Sequence, residues 1–288
     1  MTGKGRTVGI VSVSDVNAQD LALYFGHEKL AAPDVAVRNV IGGSFFDPNS
    51  GFAVELNLDL QQAGGMAPGA QLVVYNLPSA FSDAFIAGFT DIIEDNVVDI
   101  VNTSYGLCED FYSPAFAKLF NSVGYGELDA FDDLFRQGNA QGITFVNPSG
   151  DSGALDCVST AYFTTPPQNP PRVAGEATVG VDSWASSPHV TAVGGTNLVT
   201  AHRPGSLDSA YVRENARFDR LLPFDPYGVG NLIANAVWGS GGGFSKHFKQ
   251  PSYQKGLTGS RFRALPDHKQ YLPSRAREDY LLQWREAL

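Results

Sequence analysis

The chain is short of charge. Of its 288 residues 17% are Asp, Glu, Lys or Arg, against 43% that are hydrophobic. Few charges leave few ion pairs to lose on acidification, which suits an acid-tolerant protein. Basic residues are the scarcer kind, 20 Lys and Arg against 30 Asp and Glu, for a net charge of −10. That balance argues against nucleic acid or an anionic membrane as partner. With two cysteines, Cys108 and Cys157, a zinc cluster is excluded, and either two thiols or one disulfide remain. No stretch approaches transmembrane length. Met1-Thr2-Gly3-Lys4-Gly5-Arg6 runs straight into an apolar segment with no signal-peptide h-region. The five histidines, His27, His189, His202, His247 and His268, are scattered and none sits in a catalytic motif. There is no internal repeat, and the sequence contains no Gly-Thr-Ser run.

What is present is an α/β pattern. The 31 glycines and 17 prolines fall between apolar segments, so they mark tight turns rather than disorder. Strands are expected at 7–13, 35–41, 70–75, 97–103, 143–146 and 189–198. Helices are expected at 18–30, 81–95 and 114–137, the last broken at Gly124 or Gly126. Strands alternating with helices imply a mostly parallel sheet with crossovers on its faces. Ligands bind such sheets beyond the carboxyl ends of the strands. Ser104-Tyr105-Gly106 and Ser149-Gly150-Asp151-Ser152-Gly153 both fall there. From about Arg261 the composition shifts, and a charged tail with little glycine follows.

Three carboxylates stand out. Glu55 and Asp59 are embedded in Val54-Glu55-Leu56-Asn57-Leu58-Asp59-Leu60, with no Lys or Arg between Arg38 and Lys118. The alternation of Val54, Leu56, Leu58 and Leu60 favours a strand. On a strand or on a helix the two acids share a face. Two carboxylates held close in an apolar setting repel, so at least one pKa rises and their titrations couple. A solvated acidic face accounts for the same spacing at little cost. Asp151, in its glycine loop, is either a turn-stabilising aspartate or a protonated carboxyl that donates to an oxyanion. Ser-Gly-Asp-Ser-Gly also has the look of the serine loop of trypsin-like proteases, but those are all-β, and the α/β pattern contradicts that setting.

Taken in order, these segments resemble the sedolisin family of serine-carboxyl peptidases over about Gly5 to Asp267. The motifs are Glu55 and Asp59; Ala67-Pro68-Gly69-Ala70; Asn102-Thr103-Ser104-Tyr105-Gly106; Ser149 to Gly153; Ser187 to Thr196; and Gly241-Gly242-Gly243-Phe244-Ser245. The resemblance implies a subtilisin-like three-layer α/β fold, a mostly parallel central sheet with helices on both faces. It implies a serine-carboxyl endopeptidase acting at acid pH, with Glu55 as general base, Asp59 sharing its proton and Asp151 stabilising the oxyanion. Ser104, Tyr105, Gly106, Ser149 and Gly150 would bind substrate. It further implies peptide or protein substrates, a monomer and an extracellular setting. The ends of the strands before Cys108 and Cys157 should be neighbours, so a disulfide between them is expected.

The sequence departs from that family after Pro266-Asp267, where the nucleophilic Gly-Thr-Ser segment belongs. His268-Lys269-Gln270-Tyr271-Leu272-Pro273-Ser274 stands there instead. Ser260 and Ser274 lack flanking glycine geometry. The family's calcium-binding tail is also not recognisable, so no cofactor is expected. The expectation is therefore a peptidase domain over 1–267, incomplete at its C-terminus, with a divergent tail over 268–288 that does not pack on the core. Such a chain is a truncated or frame-shifted peptidase without turnover, or alternatively a non-catalytic pseudopeptidase that binds peptides.

Overall fold

The structure, a computed structural model, describes residues 2–205, 208–220 and 223–267. The tail over 268–288, with Ser274 and the packing expected of it, lies outside the described residues. The chain forms two compact units. The first comprises Met1–Leu107, Phe111–Pro148 and Ser183–Thr191, the second Cys108–Asp110, Ser149–Asp182 and Ala192 onward.

The first unit is α/β. Its elements are β1 (Thr7–Ser12), α1 (Ala18–Glu28), β2 (Asp34–Asn39), α2 (Gly51–Met66), β3 (Gln71–Asn76), α3 (Ser82–Asp95), β4 (Ile100–Thr103), α4 (Pro114–Phe120), α5 (Tyr125–Gln141) and β5 (Thr144–Pro148). The sheet has the order β2-β3-β1-β4-β5, with a sixth edge strand at Val190–Val193. The pairs β2/β3, β3/β1, β1/β4 and β4/β5 are all parallel. This mostly parallel, helix-flanked sheet is the subtilisin-like three-layer fold. Strand succession runs outward from β1 on one side and then returns to β4 on the other. The topological switch point therefore lies between β1 and β4, where Ile10 is in register with Asn102.

Buried strands supply the apolar floor. Ile10, Leu72 and Val74 pack with Leu21 and Phe25 of α1 and with Leu56 and Leu60 of α2. On the other side, Phe89 of α3 stacks edge-on against Phe131, Phe135, Phe145 and Trp184. The helix expected over 114–137 is two helices. The chain turns at Asn121, which is left-handed, and at Gly124, whose φ of 63° suits glycine.

The second unit is built of short strands. They are β6 (Cys157–Val158), β7 (Val173–Thr178), the end of β8 (Val190–Val193), β9 (Thr196–His202), β10 (Ser209–Ala216), β11 (Phe218–Arg220), β12 (Leu232–Ala234), β13 (Val237–Gly239), β14 (Gly243–Lys249) and β15 (Phe262–Leu265), with a short α6 (Thr160–Thr164). Where one strand was expected over 189–198, Gly194-Gly195 separates β8 from β9. Cys108 and Cys157, both buried, form a disulfide with Cα atoms 5.0 Å apart, closing a separation of 49 residues. A link over that span stabilises by about 4 kcal/mol in the chain-entropy account.

The last described residue is anchored. Arg263 is fully buried and its guanidinium grips the carboxylate of Asp267, with one contact of 2.6 Å. Asp267 also accepts from the Ala192 N–H at 2.9 Å and from Gln254 Nε2 at 3.1 Å. Removing one member of a buried pair leaves the other charge uncompensated. Asp267→Asn should therefore destabilise by about 3–5 kcal/mol. Urea unfolding checks this, and Arg263→Met together with Asp267→Leu should recover most of the loss.

Candidate active site

The acid pair lies on a helix, not the strand that the apolar alternation favoured. Ser50 caps α2, its side chain accepting the Phe52 N–H. The buried positions Ala53, Leu56, Leu60 and Gly64 recur at helical spacing. Half of the alternating set, Val54 and Leu58, is exposed. The period-two pattern was thus a coincidence of leucines on two faces, and burial follows the helical period. Glu55 and Asp59 stand one turn apart, each beside a buried leucine, and both are partly buried.

Asp59 receives a hydrogen bond from Ser104 Oγ at 2.7 Å, and Asn102 Nδ2 donates to the same Oγ at 3.2 Å. Ser104 follows β4, so the carboxyl end of that strand meets the acid helix. Burial is the main reason that the Asp59 carboxyl is lifted from 3.8 to about 7. The neighbouring Glu55 charge adds to the rise, while the hydrogen bonds from Ser104 and Asn102 oppose it. Tyr105 closes the group. Its hydroxyl accepts the Val13 N–H at 3.2 Å, tying the ends of β4 and β1 together. Burial raises the tyrosine pKa, and the Asp59 and Glu55 charges push it further up. Its ring contacts Phe52 of α2 at 5.9 Å and Phe85 of α3 at 5.3 Å. The first unit therefore brings together Glu55, Asp59, Ser104 and Tyr105, and adds Asn102, whose side chain the motif alone does not mark out. Gly106 is exposed just beyond.

Ser149, Gly150 and Asp151 belong to the second unit. Their loop is built by contact with a second glycine run. Ser149 Oγ donates to the Gly241 carbonyl at 2.7 Å, and the Gly241 N–H donates to the Gly150 carbonyl at 2.8 Å. A Cβ on Gly241 would lie 1.9 Å from the Ser149 carbonyl oxygen, so only glycine fits. Ser149 is buried and its hydroxyl engaged, which removes it as a nucleophile. Asp151 is exposed and meets Arg217 at 3.0 Å. Beneath the loop lies Asp156, which belongs to none of the motifs in the sequence. A Cβ on Gly150, whose φ is +106°, would come 2.7 Å from its carboxylate. Burial first, then the Asp151 charge, lifts the Asp156 carboxyl to about 6, against hydrogen bonds from the Asp151 and Ser152 N–H groups. Only the proximity of Asp156 to the Ser-Gly-Asp-Ser-Gly loop could have signalled it.

A calcium site implied by family resemblance finds no fit in the metal-ligand cluster of Cys108, Asp110 and Cys157. Two of its three ligand atoms are the disulfide sulfurs, whereas calcium takes several oxygens. Among the described residues no helix is long and apolar enough to cross a membrane.

The mostly parallel, helix-flanked sheet defines the class, a subtilisin-like α/β fold. The chain is homologous to the sedolisin–kumamolisin family in both sequence and fold. It is 31% identical over 275 residues to sedolisin of Pseudomonas sp. (strain 101), covering 92% of this chain and 40% of that protein. It is 28% identical over 269 residues to kumamolisin of Bacillus sp. (strain MN-32), covering 88% of this chain and 38% of the relative. The solved structure of Pseudomonas sedolisin, a serine-carboxyl proteinase complexed with two molecules of pseudo-iodotyrostatin, superposes with a TM-score of 0.67 at 30% identity, covering 92% of this chain and 65% of that one. The chain thus spans about two fifths of the length of these curated relatives. No protein-family model matches it.

The raised Asp59 pKa has a consequence for stability. The folded state holds the proton up to about pH 7, whereas the unfolded chain releases it near 3.8. Between those values the native state binds more protons, so stability falls as pH rises. The contribution is full below about pH 4 and gone above about pH 7. Denaturant midpoints measured across that window should decline with pH, and Asp59→Asn should flatten the decline.

Proposed function

We propose that this chain carries the acid half of a serine-carboxyl endopeptidase that cleaves peptides or unfolded proteins at acid pH. Glu55 is the general base for a serine nucleophile, Asp59 holds Glu55 and shares its proton, and Asp151 lends a hydrogen bond to the oxyanion. The backbone of Ser104, Tyr105 and Gly106, at the end of β4, pairs with the substrate, and Ser149 and Gly150 line the oxyanion side. The observation that carries this reading is the placement of Glu55 and Asp59 one turn apart on α2, beside the end of β4, with the Glu55 charge helping burial lift Asp59 to about 7. A shared proton between close carboxylates is the state in which one can accept a serine proton while the other supports it. The Cys108–Cys157 disulfide supports an oxidising, extracellular setting. A monomer is the proposed assembly.

The nucleophile is the missing part. The sequence holds no Gly-Thr-Ser run. Ser260 Oγ is occupied in accepting the Phe262 N–H at 3.0 Å. Because the sequence encodes no Gly-Thr-Ser run, the 288 residues alone are not expected to turn over peptides. The purified chain, assayed with an unfolded protein substrate across ordinary carboxyl titration from about pH 3 to 7, should be silent. Fusing a sedolisin segment that carries Gly-Thr-Ser after Asp267 should produce turnover that Glu55→Ala abolishes. Activity in the unfused chain that is lost in Glu55→Ala would instead place a working nucleophile within these residues. A folded, silent fusion would remove the peptidase reading.

A further inference from the structure

The side chain of Ser104 has a task separate from any backbone contact with a substrate. Three groups form a directed chain. Asn102 Nδ2 donates to Ser104 Oγ at 3.2 Å, and Ser104 Oγ donates to Asp59 Oδ1 at 2.7 Å. A serine hydroxyl has one proton to give. The Asn102 amide, which also hydrogen-bonds Asp59, takes up acceptor capacity on Oγ, which directs that proton to Asp59. Asn102 is itself fixed, because it lies in β4 in register with Ile10 of the buried β1 strand. Ser104 and Asp59 are 45 residues apart, so the bond joins a strand end to the acid helix rather than decorating a local turn.

We propose that Ser104, oriented by Asn102, is a positioning residue of the acid pair: it donates to Oδ1 of Asp59 and so favours the acid proton on Oδ2. The inference rests on the reading of Glu55 and Asp59 as a coupled pair. Without the Ser104 hydrogen bond the Asp59 proton could reside on either oxygen. The same bond restrains the rise in the Asp59 pKa, since a hydrogen bond to the ionised form favours that form. It therefore holds the Asp59 titration below the pH at which burial alone would set it. A residue that merely fills space at the end of β4 would do none of this.

The test uses the chain as it stands and needs no turnover. Carbon-13 NMR of labelled aspartate and glutamate follows the Asp59 carboxyl through pH. Ser104→Ala should raise its midpoint by about one pH unit, the worth of a hydrogen bond to a charged group. Ser104→Thr, which keeps the hydroxyl, should leave the midpoint near that of the unaltered chain. In the unaltered chain the Ser104 hydroxyl proton should give a slowly exchanging resonance that moves with the Asp59 titration, a readout that does not depend on how the variants fold. An unchanged midpoint in Ser104→Ala, while Glu55→Gln still lowers it, would overturn the positioning role and leave the acid pair standing. A midpoint moved by neither substitution would remove the acid pair as well. A hydroxyl resonance indifferent to the titration also counts against the proposal.

Discussion

Leu56 and Leu60 hold the candidate site in place. They lie one turn apart on α2 and are almost wholly buried against Ile10, Leu72 and Val74 of the parallel sheet. Full burial of each leucine is worth about 1.5–3 kcal/mol. Their neighbours in sequence, Glu55 and Asp59, are carried by the same turns to the margin of that contact. The apolar seal thus performs two functions. It fixes the rotation of α2, and it strips water from Asp59, which is the largest cause of that carboxyl's rise to about 7. The hydrogen bond from Ser104 and the hydroxyl of Tyr105 then find their places because β1 and β4 are adjacent strands whose ends meet the helix at the switch point.

The parallel sheet could be read in the sequence because its strands are continuous apolar runs separated by turn residues, the pattern of a sheet buried on both faces. The proximity of Glu55 and Asp59 could also be read, because the four-residue spacing puts both groups on one face in either secondary structure. Their setting could not. Leucines at alternate positions satisfy a strand period as well as a helical one, and only the exposure of Val54 and Leu58 separates the two. Asn102 was visible merely as part of a motif. Its role comes from long-range geometry, the register of β4 on β1 and the reach of Ser104 to a helix 45 residues away.

The second unit was the least legible. Its strands are short, many are exposed, and few show a clean period, so pattern reading found little there beyond β8. Tertiary contacts define it instead. The Gly241 backbone lies so close to Ser149 that no side chain fits, and Asp156 occupies the space under Gly150. Arg263, fully buried, is the sort of residue that sequence reasoning assigns to the surface, and it is tolerated because Asp267 neutralises it.

The central claim is that Glu55 and Asp59 act as one coupled acid pair. Direct observation of both carboxyl carbons during a pH titration of the unaltered chain tests it. The account requires the Asp59 midpoint near 7, with an inflection in the Glu55 resonance at the same pH because each charge reports on the other. An Asp59 midpoint close to 3.8, with a Glu55 curve that shows a single independent step, would mean two solvated carboxylates and no shared proton, and would contradict it.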